Sequence, residues 1–220
     1  MSRFTVIDAE QRSEMWFAAR AGRATGSKAA AILAKIQKGE AAARRDYRTQ
    51  LAVERLIGRP QEDGYINAEM QRGIDKEGDA IAMWEAETGL IARKTGFLSM
   101  NDYQAGCSLD GDVDNFDGLL EVKCPKSAVH VAYLKAARLP PEYIPQVTHN
   151  MWVTGAQWLD FVSFDDRLPE GLQYFQIRVY RGEMKNELAN YEAELLQFLR
   201  EVDAEVQALT KLKGVRTLAA

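Results

Sequence analysis

The apolar residues in the first part of the chain recur at helical spacing, and capping residues mark where the helices begin and end. Four helices are predicted: from Ser13 to Arg20, from residues 25–27 onward, over residues 44–57, and from the cap Asn67 to Gly89. The segment at residues 59–66 is polar and contains Pro and Gly, so it is predicted to connect the third helix to the fourth.

After Gly89 the pattern changes to short apolar segments with turn residues between them, which is typical of strands. Strands are predicted at residues 90–94, 97–100, 104–107, 119–124, 158–164 and 174–180. Helical spacing returns at residues 127–138, 142–153 and 183–212. This order of elements indicates an α/β fold class, α+β-like, in which helices flank a mixed sheet.

Length and composition limit the possible classes of protein. A chain of 220 residues with 46% apolar side chains can bury one full core, so we expect a single domain over residues 1–220. No run of about 18 apolar residues and no secretory signal occurs, which predicts a cytoplasmic protein without a membrane span. Two cysteines, Cys107 and Cys124, are too few for a disulfide framework and make a zinc or iron–sulfur site an unfavourable interpretation.

The net charge of −4 argues at first against a partner that is a polyanion such as nucleic acid. The charge is unevenly distributed, however. Residues 1–60 contain 12 basic and 6 acidic side chains, whereas residues 61–120 contain 4 and 13. Solvated helix faces would explain this distribution as well as a binding site would, so the motifs must decide.

One predicted strand carries a carboxylate and an ammonium group on the same face. Side chains alternate along a strand, so Glu121 and Lys123 project on one side while Val122 faces the other. Alone, this pattern is typical of an exposed charge pair. Asp110 ends a short apolar stretch 11 residues before Glu121, and a hairpin would bring the two carboxylates together. Two carboxylates beside an ammonium group are what divalent-metal phosphate chemistry requires.

The helix predicted from Asn67 has a glutamate in its apolar stripe, which otherwise consists of Met70, Ile74, Ile81 and Trp84. Burying an unpaired carboxylate is costly, so Glu77 must lie at the edge of the stripe, be paired, or bind a cation. Its neighbours Gly73 and Gly78 each weaken the helix by about 1 kcal/mol relative to Ala. They predict that another segment packs close to this turn.

Two arginines, Arg20 and Arg23, precede the helix start at Thr25-Gly26-Ser27. Unsatisfied N–H groups and the helix dipole favour an anion at such a start. An N-cap with two solvated arginines explains the same residues equally well.

Five motifs follow one another between residue 13 and about residue 180: Trp16 and Arg20 with Thr25-Gly26-Ser27; Gly73 with Glu77; Cys107-Ser108-Leu109-Asp110-Gly111; Glu121-Val122-Lys123-Cys124-Pro125; and Gln146 ahead of Met151-Trp152-Val153. Their order and spacing resemble the phage lambda-type alkaline exonucleases, the YqaJ-type viral recombinases of the PD-(D/E)xK nuclease superfamily.

The resemblance implies a restriction-endonuclease-like PD-(D/E)xK core and a hydrolase that digests one strand of duplex DNA from its 5′ end. Such an enzyme releases 5′-mononucleotides and leaves a 3′ single strand for annealing-type recombination. The resemblance also implies two Mg²⁺ ions, with Mn²⁺ as a substitute. Their ligands would be Asp110, Glu121, the Val122 carbonyl and the outer carboxylate Glu77.

The other motif residues receive roles from the same resemblance. Lys123 would orient and activate the attacking water, and Gln146 would support the lysine or the water. Arg20, Ser27 and Thr25 would hold the 5′-phosphate.

The expected organisation is a single nuclease domain made of an N-terminal helical end-binding region 1–66, a catalytic core 67–180 and a C-terminal helix 183–212. The family implies double-stranded DNA ends and a single-strand annealing protein as partners. It also implies a homotrimeric ring and a phage or prophage origin in the cytoplasm of a bacterial host.

Two departures from the family pattern and three competing functions stay open. Leu109 replaces the family's Pro before Asp110, and Thr148 stands where some relatives carry a further glutamine. Met70 is placed where a side chain could wedge between separating strands, but core packing is the favoured interpretation. The competing functions are a RecB- or Cas4-like single-strand nuclease, an endonuclease of the same superfamily, and a non-catalytic DNA-binding protein.

Overall fold

The computed structural model describes residues 2–61 and 67–218, so most of the connection predicted at residues 59–66 lies outside the described residues. In chain order the elements are β1 (Phe4–Ile7), α1 (Glu14–Arg20), β2 (Ala24–Thr25), a 3-10 helix (Gly26–Lys28), α2 (Ala29–Leu33), α3 (Ala42–Ile57), α4 (Ala68–Thr88), β3 (Phe97–Met100), β4 (Ala105–Cys107), β5 (Gly111–Val113), β6 (Gly118–Lys123), α5 (Ser127–Ala136), a 3-10 helix (Pro141–Tyr143), α6 (Ile144–Thr154), β7 (Trp158–Phe164), β8 (Tyr174–Tyr180) and α7 (Lys185–Leu218).

The strands form two four-stranded sheets, with the orders β1-β3-β4-β2 and β5-β6-β7-β8. In the second sheet β6 runs parallel to β7, from the pair Gly118 and Trp158 to the pair Lys123 and Ser163. The strands β5 and β8 join this central pair antiparallel on either side. The predicted mixed α/β architecture is therefore confirmed, with its strands divided between two sheets.

Strand β6 is buried on both faces, which explains why so much of its sequence is apolar. Leu119 packs into the larger core together with apolar side chains of α6 and α7. Leu120 and Val122 face the opposite way and pack with Trp84 of α4. Glu121 is only 1% exposed, so the interpretation of this strand as carrying an exposed charge pair is wrong.

A buried carboxylate fixes α4 against the second sheet. Asp160 of β7 accepts hydrogen bonds from Trp84 Nε1 at 2.9 Å, Gln176 Nε2 at 2.8 Å and Arg178 Nη2 at 2.7 Å. Burying this charge requires such partners. Because Trp84 lies two helical turns after Glu77, the same network sets the position of Glu77 along the sheet.

The N-terminal part of the chain and the last helix are joined by ion pairs. Three arginines of α3 pair with carboxylates of α7: Arg44 with Glu201 at 2.8 Å, Arg48 with Glu205 at 2.7 Å and Arg55 with Asp203 at 2.6 Å. Much of the basic excess of residues 1–60 is therefore neutralised within the chain.

Some predicted elements differ from the structure. Residues 90–94 do not form a strand, since only Arg93 makes an isolated bridge, to Asp112. The strands β1, β2 and β5 were not predicted, because all three are short and derive their pairing from other strands, such as β3 for β1 and β4 for β2. Thr25, predicted at a helix start, is the last residue of β2. None of the described helices is long and apolar enough to cross a lipid bilayer.

His149 connects three elements inside the larger core. Its Nδ1 lies 2.6 Å from the hydroxyl of Tyr191 in α7, and its Nε2 lies 2.9 Å from the carbonyl oxygen of Gly106 in β4. Burial lowers the pKa of His149 from 6.5 to about 4. The folded protein therefore keeps this imidazole neutral at a pH at which the unfolded chain protonates it.

We predict a specific loss of stability in acid from this residue. The contribution of neutral His149 is fully present above about pH 6.5 and is lost as the pH falls toward 4, because only the unfolded chain binds the proton in that window. At about 1.4 kcal/mol per pH unit, the loss is on the order of 3 kcal/mol. Urea unfolding of the wild type and of His149→Gln at pH 7 and pH 4 measures it. The variant should lose less stability in acid, and equal losses in both proteins would contradict the prediction.

Candidate active site

A cavity of about 500 Å³ opens where α4, α6, the end of β6 and the segment after α1 meet. Seven of the nine residues given a site role from the sequence line it: Arg20, Ser27, Glu77, Asp110, Val122, Lys123 and Gln146. Thr25 and Glu121 do not. Thr25 is 4% exposed and its N–H donates to the hydroxyl of Tyr47, and Glu121 is 1% exposed. An adjoining cavity of about 420 Å³ shares Glu77 and Asp110, so these carboxylates have open space on two sides.

The hairpin of β5 and β6 brings Asp110 to Glu121, as the sequence predicts. Gly111 pairs with Leu120, which places the preceding residue, Asp110, beside Glu121. Oδ2 of Asp110 accepts a hydrogen bond from the N–H of Val122 at 2.6 Å. The Asp110 side chain is thereby fixed to the backbone between Glu121 and Lys123.

Glu121 is held by donors from two elements. Gln146 Nε2 lies 2.6 Å from Oε1 and Asn150 Nδ2 lies 3.1 Å from Oε2, both donated by α6. The ammonium group of Lys123 contacts Oε1 as well. Burial, supported by the nearby carboxylates of Asp110 and Glu77, raises the pKa of Glu121 despite the opposing effect of Lys123. This carboxylate is therefore fixed in orientation, and burial disfavours its charged form.

Lys123 stays protonated in these surroundings. Burial alone would lower the pKa of Lys123, but the carboxylates of Glu121 and Asp110 outweigh it and raise this pKa above its ordinary value. The ammonium nitrogen also lies 5.4 Å from the ring centre of Tyr143. In this arrangement the side chain is a fixed cation that donates hydrogen bonds, and not a base.

Glu77 approaches the same carboxylates from α4. It is half-buried, and its Oε1 lies 3.5 Å from Nζ of Lys94. Burial and the negative charge of Asp110 raise the pKa of Glu77. The glutamate in the apolar stripe thus lies at the edge of the cavity, where it is paired with a lysine and faces a second carboxylate.

Two expectations for α4 are wrong. Met70 does not pack in the core: it is 51% exposed and lines the cavity, because the buried residues of α4, Ala80 and Trp84, lie in the C-terminal half of the helix. No described segment packs against Gly73 or Gly78, since a Cβ at either position would meet no atom within 4 Å. Gly73 instead lines the cavity and keeps its wall open.

The segment containing Arg20 is built on Trp16. Ser13 caps α1 by accepting the N–H of Trp16, and the indole N–H of Trp16 donates to Ser108 Oγ at 2.8 Å. The guanidinium of Arg20 lies over the Trp16 ring at 4.1 Å. Arg20 is thereby placed at the cavity beside Ser108, two residues before Asp110.

Several residues of the cavity, among them Arg12, Ser108 and Asn150, were not assigned a role from the sequence. A signal for Asn150 exists, since it lies one helical turn after Gln146 and so faces the same side of α6. Thr148 is not the missing partner of Gln146, because its Oγ1 donates to the carbonyl of Ile144 within the helix.

The donor set fits a hard cation such as Mg²⁺. Among the described residues, no three His, Cys, Asp or Glu side chains lie close enough together to enclose a metal ion. Mg²⁺ does not require such an enclosure, since it is usually bound by one or two carboxylates plus water and substrate phosphate. Asp110 and Glu121 supply two adjacent carboxylates beside the cavity, and their excess negative charge favours a cation.

Known proteins resemble this chain over most of its length. Residues 15–157 match the family model of the YqaJ-like viral recombinase domain. The crystal structure of the alkaline exonuclease LHK-Exo from Laribacter hongkongensis is 39% identical, with a TM-score of 0.80 and coverage of 92% of this chain and 98% of that one. The structure of LHK-Exo in complex with dAMP has a TM-score of 0.82 at the same identity and coverage.

A phage related exonuclease from Haemophilus somnus 129PT shares the fold at 15% identity, with a TM-score of 0.64 and coverage of 85% of this chain and 96% of that one. A search of curated proteins finds no match.

We predict that Mg²⁺ stabilises the protein through Asp110. A free Mg²⁺ concentration ten times the Kd adds about 1.4 kcal/mol of stability. This corresponds to a Tm increase of about 3–6 °C for a chain of this size. Asp110→Asn keeps the acceptor for the Val122 N–H but removes the charge, so it should abolish the increase. Asp117→Asn, an exposed position on the same hairpin, is the matched control. An equal increase in Asp110→Asn, measured by differential scanning fluorimetry, would contradict this assignment.

Proposed function

The chain belongs to the family of YqaJ-like viral recombinase domains and is a nuclease of the alkaline exonuclease type; on that premise we propose that it is a Mg²⁺-dependent 5′-to-3′ exonuclease acting on double-stranded DNA ends. The proposal is based on the arrangement of Asp110, Lys123 and Arg20 in one cavity, with the buried Glu121 in contact with Lys123. Hydrolytic groups and an anion-binding group thus share one space of a size suited to a nucleotide.

In the proposed mechanism the carboxylates of Asp110 and Glu121 hold the metal, with the Val122 carbonyl and Glu77 as further oxygen donors. When bound, Mg²⁺ supplies Lewis-acid stabilisation of the phosphate charge and lowers the pKa of water. Burial, supported by the negative charge of Asp110, raises the pKa values of Glu121 and Glu77, and a divalent cation would stabilise the charged forms of both carboxylates.

Lys123 acts in the proposal as a cation that orients the attacking water and balances charge on the phosphate. Its proton is retained because two carboxylates face it. With Glu121 serving as a metal ligand, Lys123 would not be needed to neutralise Oε1, and its ammonium group would face the substrate. Gln146 would keep the Glu121 carboxylate in place, because its amide donates to the same oxygen.

Arg20 and Ser27 are proposed to bind the 5′-terminal phosphate. The guanidinium of Arg20, held over the Trp16 ring, can form two parallel hydrogen bonds to phosphate oxygens. Thr25 is proposed to support the phosphate site without lining the cavity. Its N–H donates a hydrogen bond to the hydroxyl of Tyr47 and thereby fixes the turn that precedes Ser27. This arrangement would select DNA ends that carry a phosphate.

The proposed products are 5′-mononucleotides and duplexes with a 3′ single strand, which a single-strand annealing protein would bind. We also propose a homotrimeric ring around the DNA, by family membership. Met70, exposed at the rim of the cavity, is available as the side chain that separates the strands.

We predict that Lys123→Ala lowers degradation of linear duplex DNA by at least about a hundredfold, because it removes a charge that stabilises the transition state. Binding of the duplex, measured by fluorescence anisotropy in EDTA, should persist. Lys126→Ala is the matched control, since Lys126 is an exposed lysine just beyond β6. Full activity in Lys123→Ala would reject the site, and nicking of circular plasmid by the wild type would favour an endonuclease.

We predict that Arg20→Ala loses activity on 5′-phosphorylated ends by about 10- to 100-fold, the value of a charge-assisted hydrogen bond. Activity on 5′-hydroxyl ends should change little. Arg23→Ala is the control, because Arg23 belongs to the same motif but does not line the cavity. Equal losses on the two kinds of end would contradict a phosphate-binding role for Arg20.

A further inference from the structure

Asn150 contacts both the Glu121 carboxylate and the turn that carries Ser27. It lies in α6 and is 1% exposed. Its Nδ2 donates to Glu121 Oε2 at 3.1 Å. Its Oδ1 is buried and has no hydrogen-bond partner among the described residues.

The orientation of this amide is determined by Glu121. Turning the side chain over would place Oδ1 against a carboxylate oxygen, and two acceptors repel each other. The donor must therefore face Glu121, and the acceptor must point the other way. A buried acceptor without a partner costs free energy of folding, so a residue chosen only for packing would not carry one here.

The unpaired oxygen lies against Gly26. A Cβ on Gly26 would lie 2.5 Å from Asn150 Oδ1, a distance that no real contact allows, whereas the next atom, His149 Cδ2, would lie at 3.4 Å. The backbone of Gly26 does not have a positive φ, so its conformation would accept another residue. The requirement for glycine is therefore set by the Asn150 amide.

Gly26 begins the 3-10 turn that continues with Ser27, and both residues line the same cavity as Asn150. We propose that Asn150 is a positioning residue that orients the Glu121 carboxylate with one end of its amide and sets the Gly26–Ser27 turn with the other. The distance between the hydrolytic carboxylates and the site for the DNA end is thereby fixed by one side chain. The proposal rests on the proposed function, since both groups serve the same reaction.

A double-mutant cycle tests this role. On 5′-phosphorylated linear duplex, Asn150→Ala should lower kcat about tenfold or more. On 5′-hydroxyl duplex, the same variant should change KM less than threefold. Gly26→Ala should cause a similar loss, because the new methyl group displaces the amide from Glu121. In the double variant the methyl group meets no Oδ1, so Gly26→Ala should add less than a twofold further loss. Losses that multiply in the double variant would overturn the proposal.

Equilibrium binding gives the same cycle a readout that does not need hydrolysis. In EDTA, Asn150→Ala and Gly26→Ala should each reduce the preference for 5′-phosphate over 5′-hydroxyl duplex. In the double variant, the two reductions should not multiply. A wild type that degrades no duplex would refute the proposed function, while the binding cycle would still decide the role of Asn150.

Stability separates positioning from packing. Thr148→Val, a buried position of the same helix that does not line the cavity, should keep wild-type kcat and end preference. If Gly26→Ala fails to fold, the double variant should recover the wild-type Tm to within a few degrees. If neither folds, Asn150→Ala decides alone: wild-type kcat together with wild-type end preference would overturn the proposal.

Discussion

The buried carboxylate of Glu121 is the constraint on which the rest of the site depends. A charge placed inside a sheet is tolerated only when donors surround it. Here one donor comes from β6 itself, Lys123, and two come from α6, Gln146 and Asn150. The helix α6 must therefore lie against β6 at one depth, which its buried residues Val147 and Met151 in the larger core ensure. The geometry of the site therefore depends on the packing of the core.

The opposite face of the same sheet positions the remaining carboxylate. Trp84 of α4 packs on Leu120 and donates to the buried Asp160, which Arg178 neutralises from β8. The helix is thereby fixed against this face of the sheet, and Glu77 faces Asp110 at the cavity. Two independent cores, one on each face of β6, thus bring side chains from both directions to the end of this strand, where open α/β sheets commonly bind ligands.

The sequence alone predicted the parts of the site that follow from local rules. Alternation along β6 and a tight hairpin suffice to bring Asp110, Glu121 and Lys123 together. The roles given to Arg20 and Gln146 came from family resemblance, because both reach the cavity through packing of distant segments. Asn150 was missed, since helical periodicity shows which residues share a face but not which face meets a carboxylate.

The prediction that Met70 packs in the core was wrong for a similar reason. Helical periodicity does not reveal which part of a helix is buried against the sheet. In the proposed site, Asp110 and Glu121 bind a divalent ion within reach of a DNA end held by Arg20. A crystal structure with Ca²⁺ and a 5′-phosphorylated duplex would show whether they do. We expect an ion at about 2.3–2.6 Å from both carboxylates, Lys123 turned away from Glu121, and the terminal phosphate on Arg20. An ion bound elsewhere, with Lys123 still on Glu121, would contradict it.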